Sequence, residues 1–126
     1  MKENNRKATG YFGEDAASEF LCREGFRIIA RNYYYDHCET DIIAEDGKYL
    51  LFAEVKTRVY RSKNGLSARR PCLAVTDAKA ENMRRSAAGF LREHPDETRG
   101  LFPRFEVIEV MISDGETTIR RVHMIE

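Results

Sequence analysis

Absences narrow the reading of this 126-residue chain first. No apolar run is long enough to span a membrane. The opening residues Met1-Lys2-Glu3-Asn4-Asn5-Arg6-Lys7 lack the apolar segment of a signal peptide, so a cytoplasmic location is expected. Net charge is also missing: 21 Lys and Arg balance 21 Asp and Glu, so no global field announces a nucleic-acid partner, and only the distribution of charge is informative. The three cysteines, Cys22, Cys38 and Cys72, are odd in number and widely spaced, with no CxxC pair. That pattern indicates neither a disulfide framework nor a zinc site, so any metal is expected to be bound through oxygen. There is no internal repeat and no low-complexity segment. What remains is the composition of a soluble globular protein, 42% hydrophobic and 33% charged, read as one domain over residues 1–126 with its own core.

The informative stretch is Glu39 to Lys56. Two apolar, partly β-branched runs flank Asp46-Gly47, the strongest short-range signal for a β-hairpin. A two-residue turn there sets Glu45 against Lys48, Asp41 against Phe52, and Glu39 against Glu54. Side chains alternate along a strand, so Glu39, Asp41, Glu54 and Lys56 emerge on one face, with Asp41 and Glu54 as diagonal neighbours roughly 7–8 Å apart at the backbone. A four-residue turn keeps this parity and an odd one breaks it. Both strands are apolar on both faces, which places them in the middle of a covered sheet. Carboxylates in such a place cost free energy unless a cation compensates them. A divalent metal resolves the conflict, with Lys56 as a second positive group. The plainer alternative is that Glu54 and Lys56 pair with each other where the strand meets water.

Around this hairpin the chain reads as α-β-β-β-α-β with an extra C-terminal strand. Residues 1–8 are polar and expected to be disordered. A helix is expected from Thr9 or Gly10 to about Glu24, stopped by Gly25, with Phe12, Ala16, Ala17, Phe20 and Leu21 as its buried stripe. Glu14 sits at the edge of that stripe, where it either reaches toward a site or merely favours the helix N-terminus. A first strand runs from Phe26 to about Tyr35, and His37 in the following turn reads as exposed. Val59 to about Cys72 reads as a long loop broken at Asn64-Gly65 and Arg70-Pro71. Thr76 caps a second helix to about Glu93, with Ala80, Met83, Ala87, Phe90 and Leu91 facing the core and Lys79 one position from that stripe. Strands from Arg104 to about Ile112 and Thr117 to about Ile125 close the chain. The second helix is long enough to join parallel strands, so the sheet is mixed, with helices on both faces.

Basic residues gather beside the hairpin. Arg58, Arg61, Lys63, Arg69 and Arg70 come without an acid among them, in a run that leaves directly from the Glu54–Lys56 strand. An isolated basic run is usually a solvated loop; this position favours contact with phosphates.

Asp41 followed by a strand and Glu54-Val55-Lys56 has the form D…(D/E)xK. With Gly13-Glu14, Arg31-Asn32, Glu39-x-Asp41, Phe52-x-Glu54-Val55-Lys56-x-Arg58, Lys79 and Arg104-Phe105-Glu106, the chain resembles the YraN-like family of bacterial proteins from about Gly10 to about Val110. The family's layout is similar to that of archaeal Holliday-junction resolvases in the restriction-endonuclease-like, PD-(D/E)xK superfamily. The resemblance implies that fold and a metal-dependent endonuclease of DNA, acting on branched or repair intermediates. It implies Mg²⁺ or Mn²⁺ held by Asp41 and Glu54, with the Val55 carbonyl as a further ligand and Glu14 joining through water. Lys56 would orient water and phosphate, Glu39 and Lys79 would be accessory, and a homodimer would suit symmetric cutting. Cys38, Thr40 and Glu106 depart from the family's Gly, aliphatic residue and Asp. The alternative function is a non-catalytic nucleic-acid or protein-binding module that keeps the fold.

Overall fold

The computed structural model of the protein describes residues 2–60 and 77–124. Its elements are α1 (Lys2–Arg23), β1 (Arg27–Tyr35), β2 (Cys38–Glu45), β3 (Tyr49–Tyr60), α2 (Asp77–Glu93), β4 (Phe102–Ser113) and β5 (Glu116–His123). The strands form one sheet in the order β1-β2-β3-β4-β5. β3 and β4 run parallel and the other neighbours antiparallel, so the sheet is mixed, as expected. Among the described residues no helix is long and apolar enough to cross a membrane.

Each helix covers one face. Ala17 and Leu21 of α1 bury themselves against Ile42, Ala44, Leu51, Ala53, Ile108 and Val110. Met83, Ala87 and Phe90 of α2 pack on Ile43, Leu50, Phe52 and Phe105. The central strands are therefore apolar on both sides, the pattern of strands covered front and back. α1 ends where Gly25, at φ 98°, takes the left-handed position. Its N–H bonds to the Cys22 carbonyl, and the Phe26 N–H to that of Leu21, which satisfies the last helical carbonyls.

Several expectations need correction. α1 begins at Lys2, ahead of the Thr9–Gly10 start; nothing from Lys2 to Ala8 is Pro or Gly, and most of these residues are good helix formers. Phe12 is not buried but 48% exposed. The Asp46-Gly47 turn is longer than two residues: Glu45 pairs with Leu50, Ala44 with Leu51, Ile43 with Phe52 and Ile42 with Ala53. The Asp46 carboxylate causes the difference, because it accepts N–H bonds from Lys48 and Tyr49 and closes the wider loop. Val59 and Tyr60 belong to β3, not to a loop. Thr76 and residues 61–75, with Arg61, Lys63, Arg69 and Arg70, lie outside the described residues.

Glu106 anchors the sheet rather than any site. It is 1% exposed, yet accepts from Arg104 Nε at 2.6 Å and from Arg121 Nε and Nη2 at 2.7 and 2.8 Å. Burial pushes its carboxyl up, but the two guanidiniums outweigh that and hold it below the usual range.

Two helix–sheet contacts need glycine. A Cβ at Gly89 would stand 2.4–2.6 Å from Cδ2, Cγ and Cδ1 of the Tyr35 ring. Gly89→Ala should therefore destabilise the fold by about 1–3 kcal/mol through overpacking, despite the roughly 0.8–1 kcal/mol better helix propensity of alanine. Urea denaturation checks this. In a Tyr35→Ala background the same change should become neutral or stabilising, and a loss of equal size there would place the cause elsewhere.

A carboxylate seam at the divergence of two strands

The site starts from a fault in strand alternation. On β2, Ile42 turns toward α1, whereas Thr40 turns toward α2, where its hydroxyl meets Ser86 Oγ at 2.8 Å. Residues two apart on a regular strand share a face. The alternation therefore slips at Asp41. The same slip occurs opposite, on β1: Arg31 pairs with Ile42 and reaches α1, Tyr33 pairs with Thr40 and packs with the α2 core, and Asn32 between them has φ 53°. A positive φ is uncommon for a non-glycine residue and is best tolerated by Asn and Asp.

At this point β2 and β3 separate. Their ladder runs from Glu45↔Leu50 to Ile42↔Ala53, and the next β3 donor, the Val55 N–H, bonds instead to Asp41 Oδ2 at 2.8 Å. A side-chain carboxylate thus takes the place of a backbone carbonyl, and Asp41 sits in the seam between strands, within electrostatic reach of both faces. Glu54, from β3, comes from the α2 side. Glu14, from α1, comes from the other side. α1 approaches closely because residue 13 is glycine: a Cβ there would lie 1.8 Å from Thr57 Oγ1 on β3.

The electrostatics follow from crowding. The Asp41 carboxyl is pushed up from 3.8 to about 6, chiefly by burial; the Val55 bond opposes the rise, and the charges of Glu14, Glu54 and Glu39 add to it. Two cations answer the acids. Lys79, in the first turns of α2, places Nζ 2.8 Å from Glu54 Oε1. The bond to Glu54 is the main reason its ammonium is held above the usual lysine value. Arg31 Nη2 lies 3.5 Å from Glu14 Oε1 and Nη1 lies 2.8 Å from Asp15 Oδ1. Even so, among the described residues the buried Glu54 Oε2 has no hydrogen-bond partner, and Glu14 Oε1 has only the long ion pair to Arg31. Such atoms are costly and ask for a ligand.

The expected residues fall into three groups. Asp41, Glu54 and Lys79 are brought together, with Glu14 across the seam and Val55 supplying the backbone. Glu39 is exposed and contributes only its charge. Lys56 and Arg58 are half-buried further along β3, and Lys56 takes part in no ion pair among the described residues. The two-residue register had Asp41 facing Phe52 and Glu39 facing Glu54; neither holds, because the wider turn puts Phe52 against Ile43. One residue was missed. Glu109 of β4 is the register partner of Lys56, is 1% exposed, and has one oxygen without a partner and the other 3.5 Å from Arg120 Nη2. Its signal was an acid inside the apolar run Val107-Ile108-Glu109-Val110.

Among the described residues no three His, Cys, Asp or Glu side chains converge closely enough to enclose a metal. The donors nevertheless fit a hard cation, since Mg²⁺ and Mn²⁺ are commonly held by one or two carboxylates and otherwise by water. The buried Glu54 Oε2, without a partner among the described residues, is the observation that favours this fit.

Fold and site together define a small α/β protein with a mixed sheet that opens on a seam of carboxylates. The chain belongs to the uncharacterised protein family UPF0102, whose profile matches residues 13–110. It is 41% identical to a UPF0102 protein of Chlorobaculum tepidum over 89% of this chain and 82% of the relative. It is 34% identical to one from Caldicellulosiruptor bescii over 97% of both chains. A third, from Symbiobacterium thermophilum, is 42% identical over 82% of both. The match begins at Gly13, beside the seam's Glu14.

The raised Asp41 carboxyl has a consequence for stability. A folded-state value above the unfolded one favours the protonated form on folding, a contribution fully present below about 3.8 and lost as pH rises through about 6. Without divalent cations, Asp41→Asn should be more stable than wild type at pH 7.5 by on the order of 2 kcal/mol. The difference should shrink as pH falls through 6 toward 4. Denaturant titrations at both pH values check it, and a pH-independent difference would contradict the crowding.

Proposed function

We propose that the protein is a divalent-metal-dependent DNA endonuclease of the restriction-endonuclease-like kind, with branched or repair intermediates as its substrate class. The observation that carries the reading is the seam itself: Asp41 held by the Val55 N–H between separating strands, facing a Glu54 whose second oxygen has no partner. Glu54-Val55-Lys56 then supplies the remaining parts of the D…ExK form. Asp41 and Glu54 would hold Mg²⁺ or Mn²⁺, with the Val55 carbonyl and Glu14 outside them. When bound, such a cation neutralises phosphate charge and acidifies water. Lys56 places an ammonium at the same face for the scissile phosphate, and Arg58, two residues on, holds a neighbouring phosphate. The basic run from Arg61 to Arg70 extends that contact along the DNA, and a homodimer would present two such sites.

A second reading, a binding module that retains the fold without catalysis, is favoured by one observation: Lys79 already neutralises Glu54. Cleavage and binding assays on duplex, single-stranded and four-way-junction DNA with Mn²⁺ separate the two. The nuclease reading expects wild type to cut, and Lys56→Ala to cut about 10²–10³-fold more slowly while still binding. Arg58→Ala should weaken binding for all sequences and reduce the salt slope by about 1. Binding without cleavage by wild type would leave the module, and absence of both would end both readings.

A further inference from the structure

We propose that Lys79 is a resident counter-ion that a divalent cation must displace: its ammonium and the metal compete for Glu54. This rests on the metal reading above and goes beyond it by assigning the metal-free state and the residue that controls entry. Lys79 does not reach the seam by chance. Counted along α2, residues 79, 83, 86, 87 and 90 form one stripe, and Met83, Ser86, Ala87 and Phe90 of that stripe are buried against the sheet. Lys79 is thus the first residue of the buried face, aimed at β3 by the packing of the three turns behind it. Ser86, one step along, is fixed to Thr40 of β2 at 2.8 Å. The helix is consequently pinned to the strand that carries Asp41, and Lys79 Nζ is delivered to Glu54 Oε1 at 2.8 Å.

The ammonium there does what a metal would do. Beyond Glu54, the ammonium also feels the charges of Asp41 and Glu39. It is one positive charge set against a group of acids, and it satisfies one oxygen of Glu54 while the other stays buried and unpartnered. A divalent ion shared by Asp41 and Glu54 brings twice the charge to the same carboxylate, and two cations at one carboxylate repel strongly in a partly desolvated site. Lys is suited to such an exchange, because its flexible stem can swing the ammonium into water and, in the proposed reaction, toward the substrate.

The test is calorimetric titration of Mn²⁺ into wild type, Lys79→Met and Lys79→Arg at one pH and ionic strength. Exchange predicts that Lys79→Met binds Mn²⁺ about tenfold or more tightly than wild type, within the usual range of coupling between two ligands, and that Lys79→Arg stays near wild type. Equal or weaker binding by folded Lys79→Met would overturn the exchange and leave Lys79 as a support for Glu54. If no variant binds at all, the metal reading fails and takes the exchange with it. A variant-free readout guards against misfolding: in wild type the ¹⁵N signal of the Lys79 ammonium, held by Glu54, should shift or vanish as Mg²⁺ saturates. A signal unchanged at saturation would also overturn the proposal.

Discussion

Where β2 and β3 part, one hydrogen bond sets the terms for everything nearby: the Val55 N–H donates to the Asp41 carboxylate instead of to a β2 carbonyl. A buried N–H left without a partner would cost about 1–3 kcal/mol, so the strands can separate only because Asp41 supplies the acceptor. That substitution fixes the carboxylate in the plane of the sheet and exposes it to both faces. α1 can then bring Glu14 from one side, with Gly13 allowing the approach, and α2 can bring Lys79 from the other, with Ser86 and Thr40 fixing the distance. The opening in the sheet and the gathering of charge are one structural event.

Charge in that opening is only partly balanced. Arg31 answers Glu14 and Lys79 answers Glu54, while Asp41 has a backbone donor, three carboxylates acting on it and the more distant charge of Lys79. The imbalance distinguishes this cluster from the Glu106 network on the neighbouring strand β4, where two guanidiniums saturate one carboxylate. Glu106 is built for cohesion: removing one partner of so buried a pair would strand the other charge. The seam is built with unfilled valence, in the form of Glu54 Oε2, which has no partner among the described residues. Unsatisfied groups are tolerated in native proteins mainly where function uses them.

Much of this was legible in the sequence, for identifiable reasons. The Asp46-Gly47 turn between two apolar runs announced the hairpin, and the double-sided apolar pattern of Ile42–Ala44 and Leu50–Ala53 announced a central, covered position. The 3.6-residue spacing of Met83, Ala87 and Phe90 gave α2. The errors have local causes. The turn widened because Asp46 caps Lys48 and Tyr49 with its own carboxylate, a side-chain choice that a dipeptide signal does not contain. Even parity survived that widening, with four loop residues in place of two, while alternation along β3 put Glu54 on the face of Leu50 and Phe52. The slip in alternation at Asp41 was invisible, since period-two reasoning assumes regular strands and the cue lay in Asn32 on a different strand. Lys79 was placed one position off the buried stripe, although its spacing to Met83 and Ser86 was there to be counted. Glu109 escaped because its partner, Lys56, is reached only through a parallel register that no local pattern encodes.

If the acids of the seam are crowded and waiting for a cation, Asp41 must respond to one. Carboxyl ¹³C NMR of Asp41, titrated with and without saturating Mg²⁺, measures this directly. Without Mg²⁺ the carboxyl should titrate near 6, displaced from 3.8 by burial and by Glu14, Glu54 and Glu39. With Mg²⁺ it should fall well below that, because a bound cation favours the ionised form. A carboxyl that titrates in the ordinary aspartate range and ignores Mg²⁺ would contradict the account.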